Sequence, residues 1–439
     1  MDIKKNRAID KKIIKIAKLA FICTGLFSSI NGFASILHSE SLIQLNDSEL
    51  SDVSGQALMS LSYIAPNDSV NNMQGQGVGF YKLGLEAELD LNANIKKLQL
   101  GCGGVNGVGG CDIDIDNLSL SGIADTREGR VGSSAKLTNP FIEFAIKNPN
   151  SASTREVVGL RLSAEKVLGL LTTGIENSDL PNGINSLSGA LKIKATTGTG
   201  FTAPRAMRFN DTGMVMSGRI RIAIFEPSFN TNDYNLQLQS TKANLLINST
   251  TLTGTRLTSA KLTGTALIDD LNFGGNINAR VNLPLVSLFT LPIRATGFIS
   301  GLQADLDIDE NLGYIHKLPL NNPFSLSLQS AQVHWPGAEY AANRGWWLAI
   351  EDEIDIGKVI PKNQIDVTND ILKQVVPSIN IALDRTPPTC QRVIGCLFAG
   401  LNIGQVDLSS AKPLYFPIKD LPLATQGFAP NCYGNLKFC

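Results

Sequence analysis

The sequence predicts a mainly β protein: an elongated antiparallel β-sheet or β-sandwich body with long bent strands, few short helices and a C-terminal region fastened by disulfides. Three observations carry that expectation. Between residues 83 and 335, apolar and polar residues alternate in run after run, the period of half-buried strands. Glycine is abundant, at 40 residues, and charged residues make up 18%, below the usual quarter or so, while the chain is too apolar to stay disordered. Six of the 7 cysteines form three close couples: Cys102 with Cys111, Cys390 with Cys396, and Cys432 with Cys439.

The chain begins with the basic stretch MDIKKNRAIDKKIIKIAK and the apolar core LAFICTGLFSSI, with small residues at Gly32 and Ala34. This predicts a secretory signal peptide over 1–34, cleaved after Ala34. The competing reading, a membrane anchor, needs about twenty apolar residues. Cys23 lacks the small preceding residues of a lipoprotein cysteine.

An N-terminal segment follows over 35–82. Asp47 or Ser48 can cap a short helix that Gly55 ends. Residues 45–57, LNDSELSDVSGQA, resemble the segment after the signal peptide in many uncharacterised envelope proteins of Gram-negative bacteria. Some of those are associated with pilus or filament systems. The resemblance implies an exported envelope protein and no active site. LMSLSYIAP then reads as a strand and NDSVNNMQGQG as a polar loop.

The β-rich body is placed at 83–335, with a sub-boundary near the Gly/Asn/Ser-rich residues 172–189. It is organised around residues 83–122. There Leu83 to Ile95 alternate with polar residues, the phase shifts at Lys96 and Lys97, and a glycine-rich loop joins Cys102 to Cys111. A second run carries Ile113, Ile115, Leu118 and Leu120. Pairing Cys102 with Cys111 sets Leu100 opposite Ile113, Leu98 opposite Ile115, Lys97 opposite Asp116, Ile95 opposite Leu118 and Ala93 opposite Leu120. A slip of one residue would set apolar against polar. The first run is longer than an ordinary strand of about six residues. Either the sheet is elongated or the strand bends from one sheet into another.

PFIEFAIKN (140–148) and EVVGLRL (156–162) predict a second hairpin, with a short helix over Ser163 to Leu171. ALKIKA, GRIRIAIF and YNLQLQ are further strands. Leu252-Thr253-Gly254-Thr255 recurs as Leu262-Thr263-Gly264-Thr265, the spacing of a β-solenoid or of ordinary sheet strands. Strands continue through FSLSLQSAQVHW (324–335). The region 336–439 mixes a helix from Gln364 to Val376, stopped by Pro377, with cysteine-containing loops.

Chemistry leaves little mark. Nucleophile elbows, phosphate loops, dinucleotide fingerprints and HExxH are absent, so the chain reads as a non-enzyme with no cofactor. A net charge of −1 gives no global field for nucleic acid. Scattered His38, His316 and His334 and the lack of CxxC argue against zinc. Asp112, Asp114 and Asp116, and Asp305, Asp307 and Asp309, line strand faces. Calcium uses such carboxylates, but an EF-hand loop would need Gly at 117 and Glu at 123, where Asn117 and Ile123 stand, so a solvated polar face is the preferred reading. Trp346 and Trp347 beside Arg344 form a candidate interaction surface, for a glycan, a lipid, a core or a subunit contact.

Three function classes compete. The leading one is an exported, non-enzymatic envelope or surface protein, in the periplasm, at the outer membrane or on the cell surface, with a structural, adhesive or filament-associated role and envelope or filament proteins as partners. The second is a periplasmic carrier of lipid or another hydrophobic molecule, for which membrane or lipid contact is the corresponding partner. The third is an outer-membrane β-barrel, whose aromatic girdles sit poorly with 6% aromatic residues.

Overall fold

The structure, a computed structural model, describes residues 59–178, 180–283, 286–321, 324–390, 396 and 400–431. The expected signal peptide, the short helix near 47–55, Cys432 and Cys439 lie outside the described residues. The fold is mainly β, with multiple sheets.

The chain lays down β1 (Met59–Ile64), β2 (Val78–Leu85), β3 (Glu88–Leu91), β4 (Ala93–Leu100), β5 (Ile113–Ser121), the helix α1 (Arg127–Val131), β6 (Ala135–Lys147), β7 (Glu156–Thr172) and β8 (Ile184–Ile193). These eight strands belong to a 12-stranded sheet. The β4–β5 register agrees with the pattern: Leu100 faces Ile113, Leu98 faces Ile115, Lys97 faces Asp116, Ile95 faces Leu118 and Ala93 faces Leu120. The apolar phase shifts where Asn117 adopts a left-handed φ of 50°. The expected long run is broken into three strands. Its first two parts, β2 and β3, pair with β6, and its third, β4, pairs with β5. At the break, Asn92 Nδ2 donates to the Arg130 carbonyl at 2.9 Å.

The second hairpin forms as expected, with Lys147 opposite Glu156. The helix expected over Ser163 to Leu171 does not form; these residues continue β7. β6 hydrogen-bonds one side of β7, and later strands take the other. Sheet pairing overrides the local preference of the Ala164-Glu165-Lys166 run.

The next strands are β9 (Thr196–Phe201), β10 (Arg205–Arg208), β11 (Met216–Arg219), β12 (Arg221–Ile222), β13 (Ser228–Thr231), β14 (Tyr234–Leu238) and β15 (Lys242–Ile247), with the helix α2 (Phe209–Thr212) after β10. The expected strand over 218–225 is broken after Ile222, where Ala223 has a φ of 52°. β16 (Thr250–Leu257), β17 (Ser259–Ile268), β18 (Leu271–Leu283), β19 (Val286–Ser300) and β20 (Gln303–Asn311) follow. The two Leu-Thr-Gly-Thr copies lie on β16 and β17, in different sheets. They are sheet strands and not solenoid coils.

The chain continues through β21 (Lys317–Leu320), β22 (Phe324–Gln329), β23 (Gly345–Ile354), the helix α3 (Asn369–Arg385), β24 (Thr389–Cys390), β25 (Leu401–Asp407) and β26 (Leu414–Lys419). β2 runs across the expected 82/83 division. β22 and β23 pair across the 335/336 division, and the described residues cluster as one compact unit. The stretch near 172–189 connects β7 to β8 within one sheet.

Two smaller sheets form one bent layer. One has the order β26-β20-β17-β15-β9; in the other, β25, β19, β18, β14 and β10 are neighbours in that order. Four strands of the first, β20, β17, β15 and β9, adjoin their counterparts in the second with two or three residues between, and β26 follows β25 after a six-residue turn segment. The corner is hydrogen-bonded: Thr202 N donates to Thr241 O at 2.9 Å, Ile268 N to Leu302 O at 3.0 Å and Leu408 N to Ser300 O at 2.9 Å. Gly301, with a φ of +67°, turns at this level. Along β14, β15 and β26, alternate residues are buried. Bent strands of this kind are how a sheet turns a corner.

Helix α3 covers the buried face. Thr368 caps it and Pro377 lies inside it, so it starts later than expected and does not stop at proline. Pro377 is exposed, and the buried stripe Ile371, Leu372, Val375, Val376, Ile379, Leu383 runs past it. Burial of the far half offsets the roughly 3 kcal/mol of an interior proline.

Candidate interaction surface

The large sheet has two apolar faces between β1 and β23. On one, Val78, Phe80, Ala145, Val158, Trp335, Trp347 and Ala349 form a buried core. Gly159 is required there, because an added Cβ would stand 2.9 Å from the Trp335 ring.

The opposite face carries apolar side chains in directly opposed rows. One row reads Leu61, Leu83, Ile142, Leu162, Leu326 and Leu348 across β1, β2, β6, β7, β22 and β23. The next reads Tyr63, Tyr81, Phe144, Leu160, Leu328 and Trp346. At the β23 end, Leu326, Leu348 and Trp346 pack against the main core. Toward β1 the rows are uncovered: Leu162 is 45% exposed and Leu61 75%. On the uncovered part, across β1, β2, β6 and β7, four strands at about 4.8 Å and two rows with their margins span about 14 Å by about 13 Å, or about 180 Å². Apolar residues scattered singly on a surface are ordinary; here they adjoin in rows across neighbouring strands, which makes this face the candidate contact surface.

Consecutive strand residues point to opposite faces, and this decides the fate of the tryptophan pair. Trp347 is buried in the core at 1% exposure, which removes it from the expected interaction surface. Trp346 closes one row of the open face. Exposed Arg344 precedes it, and its carbonyl accepts from Asn106 Nδ2 at 3.0 Å.

That contact docks the glycine-rich loop beside the face. The loop is closed by a Cys102–Cys111 disulfide. Fully buried Asp112 accepts from Asn106 Nδ2 at 2.8 Å, Arg256 Nε at 3.1 Å and Trp346 N at 3.1 Å. Arg256 also donates to the carbonyls of Gly101, Gly107 and Gly109. A second disulfide joins Cys390 to Cys396.

The first carboxylate row is occupied by protein partners, and in the second Asp307 has one. Lys97 Nζ stands 2.6 Å from Asp114 and 2.9 Å from Asp116. Burial alone would raise the Asp114 carboxyl; hydrogen bonds from Lys97, Gln99 and Asn185 outweigh it and hold it below the usual range. Asp307 accepts from the Tyr415 hydroxyl at 3.1 Å.

Cavities divide by polarity. A cleft of about 420 Å³ is lined by Phe141, Arg161, Ser163, Glu165 and Asp352 among others. At its floor Arg161 lies 5.3 Å from the Trp335 ring and pairs with buried Glu143, whose carboxyl burial pushes up against the pull of Arg161. An apolar void between α3 and the bent sheet measures about 20 Å³, room for about one water molecule. Among the described residues, no helix is long and apolar enough to cross a membrane.

No known family, curated protein or solved structure matches the chain.

The open face was missed by sequence reasoning, although a signal existed. Phe141-Ile142 and Trp346-Trp347 are adjacent apolar pairs within strands. Such pairs require apolar surroundings on both faces, not the single buried face that alternation implies.

Proposed function

We propose that this protein is a non-enzymatic β scaffold of an oxidising, exported compartment that acts through protein–protein contact on the open apolar face. The two disulfides fit such a compartment. The observation that carries the reading is the uncovered double row across β1, β2, β6 and β7, where Leu61, Tyr63, Leu83, Ile142, Phe144 and Leu162 are exposed. Contact surfaces concentrate aromatic and large aliphatic anchors at their centres, and this face supplies Tyr63, Tyr81 and Phe144. The predicted signal peptide and the LNDSELSDVSGQA resemblance support the cell envelope as its location and an envelope or filament protein as its partner.

The carrier reading needs an apolar cavity of several hundred Å³. Among the described residues, the apolar void under α3 is far smaller, and the cleft of about 420 Å³ has Arg161, Glu165 and Asp352 in its walls.

The test is the native size of the mature protein extracted from the producing cell. Ile142→Lys with Leu162→Lys should release it from a larger protein assembly as a folded species. Unchanged assembly, or recruitment of the wild type by protein-free phospholipid vesicles, would overturn the reading.

A further inference from the structure

Within the described residues, β1 is a sheet edge without the charges, prolines or bulges that protect edges. Within the described residues, β2 is its one strand partner. Natural edges are guarded by charges, prolines or bulges, because a bare edge is a template for another strand. Other edges in this molecule are guarded: β4 carries Lys96 and Lys97, β26 carries Pro417 and Lys419, and β10 carries Arg205 and Arg208. β1 reads Met-Ser-Leu-Ser-Tyr-Ile. It has no charge, no proline and no residue of positive φ.

The strand is also complementary to itself. An antiparallel pair centred on Leu61 sets Leu61 opposite Leu61, Met59 opposite Tyr63, and Ser60 opposite Ser62. Met59, Leu61 and Tyr63 then meet on the open face, and the Ser60 and Ser62 hydroxyls meet on the other. Met–aromatic, aliphatic and hydroxyl pairs are each favourable across strands, and no like charges face each other. Main-chain hydrogen bonds would come from a row of groups that β2 leaves unused.

We infer that two copies of this chain pair through β1, antiparallel about Leu61, into one continuous sheet. The dimer has a two-fold axis through Leu61 and joins the two open faces side by side. Pairing over five residues covers much less than the roughly 800 Å² per partner of a standard interface. The association is therefore micromolar and reversible. The inference rests on the strand edge, independently of what covers the open face.

The experiment uses the mature, disulfide-intact protein in sedimentation at about 1–500 μM. Wild type should pass from monomer to dimer over this range. Ser62→Lys lies off the apolar rows on an exposed position; it should weaken the dimer at least about tenfold without changing the thermal transition. Ile142→Lys, on the open face away from the edge, should leave it intact. The register is read by oxidative cross-linking mapped by mass spectrometry. Leu61→Cys should link to itself. Ser60→Cys should not, but should link to Ser62→Cys when the two are mixed. A monomer throughout the range, a dimer indifferent to Ser62→Lys, or Ser60→Cys linking to itself as well as Leu61→Cys does, would each overturn the inference.

Discussion

Replacing Arg256 with methionine tests how the glycine-rich loop is held. In the structure its guanidinium faces Asp112, which is fully buried, and three carbonyls of the loop. Methionine keeps much of the side-chain stem and removes every donor. Asp112 then keeps Asn106 Nδ2 and the Trp346 amide. Removing one member of a buried ion pair costs about 3–5 kcal/mol. The Arg256 side chain is 19% exposed, so water partly replaces it and the expected loss is about 2–4 kcal/mol. Urea unfolding of the oxidised protein measures the loss, and amide exchange over residues 103–110 shows where it falls. Asp112→Asn removes the stranded charge, so the double variant should lose less than the sum of the single ones by about 1 kcal/mol or more. A loss below about 1 kcal/mol for Arg256→Met, with unchanged exchange in the loop, would refute the reasoning.

Other outcomes follow from the same geometry. Cys102→Ser with Cys111→Ser should cost about 2–3 kcal/mol in chemical unfolding, the chain-entropy value for so short a loop. Burial first, with Asp420 and Asp309 adding to it, raises the Glu310 carboxyl from 4.5 to about 7 against backbone hydrogen bonds from Asn311 and Leu421. The folded state therefore holds this proton more tightly than the unfolded chain. Its contribution is complete below pH 4.5 and is lost as pH rises through about 7. The thermal midpoint of Glu310→Gln should gain on wild type between pH 5 and 8, and parallel curves would contradict the assignment. Pro377→Ala should raise stability by about 1–2 kcal/mol, part of the interior-proline penalty remaining offset by the freer unfolded chain; no gain in urea unfolding would show that the helix is not strained there.

The legible parts of the fold were those where a pattern had one physical reading. In the β4–β5 hairpin, alternation, a close cysteine couple and Lys97 opposite Asp116 all select one register. The misread parts were settled by distant partners. Residues 163–171 are a strand because β6, β21 and β22 flank β7. Pro377 stays inside a helix because Ile379 and Leu383 are buried beyond it. The bent sheet needed its corners to coincide in four neighbouring strands, a condition visible only once the strands are placed side by side. The candidate surface was half legible: Arg344 and Trp346 stand beside it, while Trp347 belongs to the core. Its main rows depend on pairing between residues as far apart as Leu61 and Leu348, which no local period records.

Photo-crosslinking in the producing cell addresses the scaffold claim most directly. A photoreactive residue is placed at Leu162, on the open face, and separately at Asn276, exposed on the outer side of the bent sheet. The proposed contact predicts a discrete protein adduct from position 162, lost when Ile142→Lys is added, and none from position 276. Equal adducts from both positions, or adducts to phospholipid alone from 162, would contradict it.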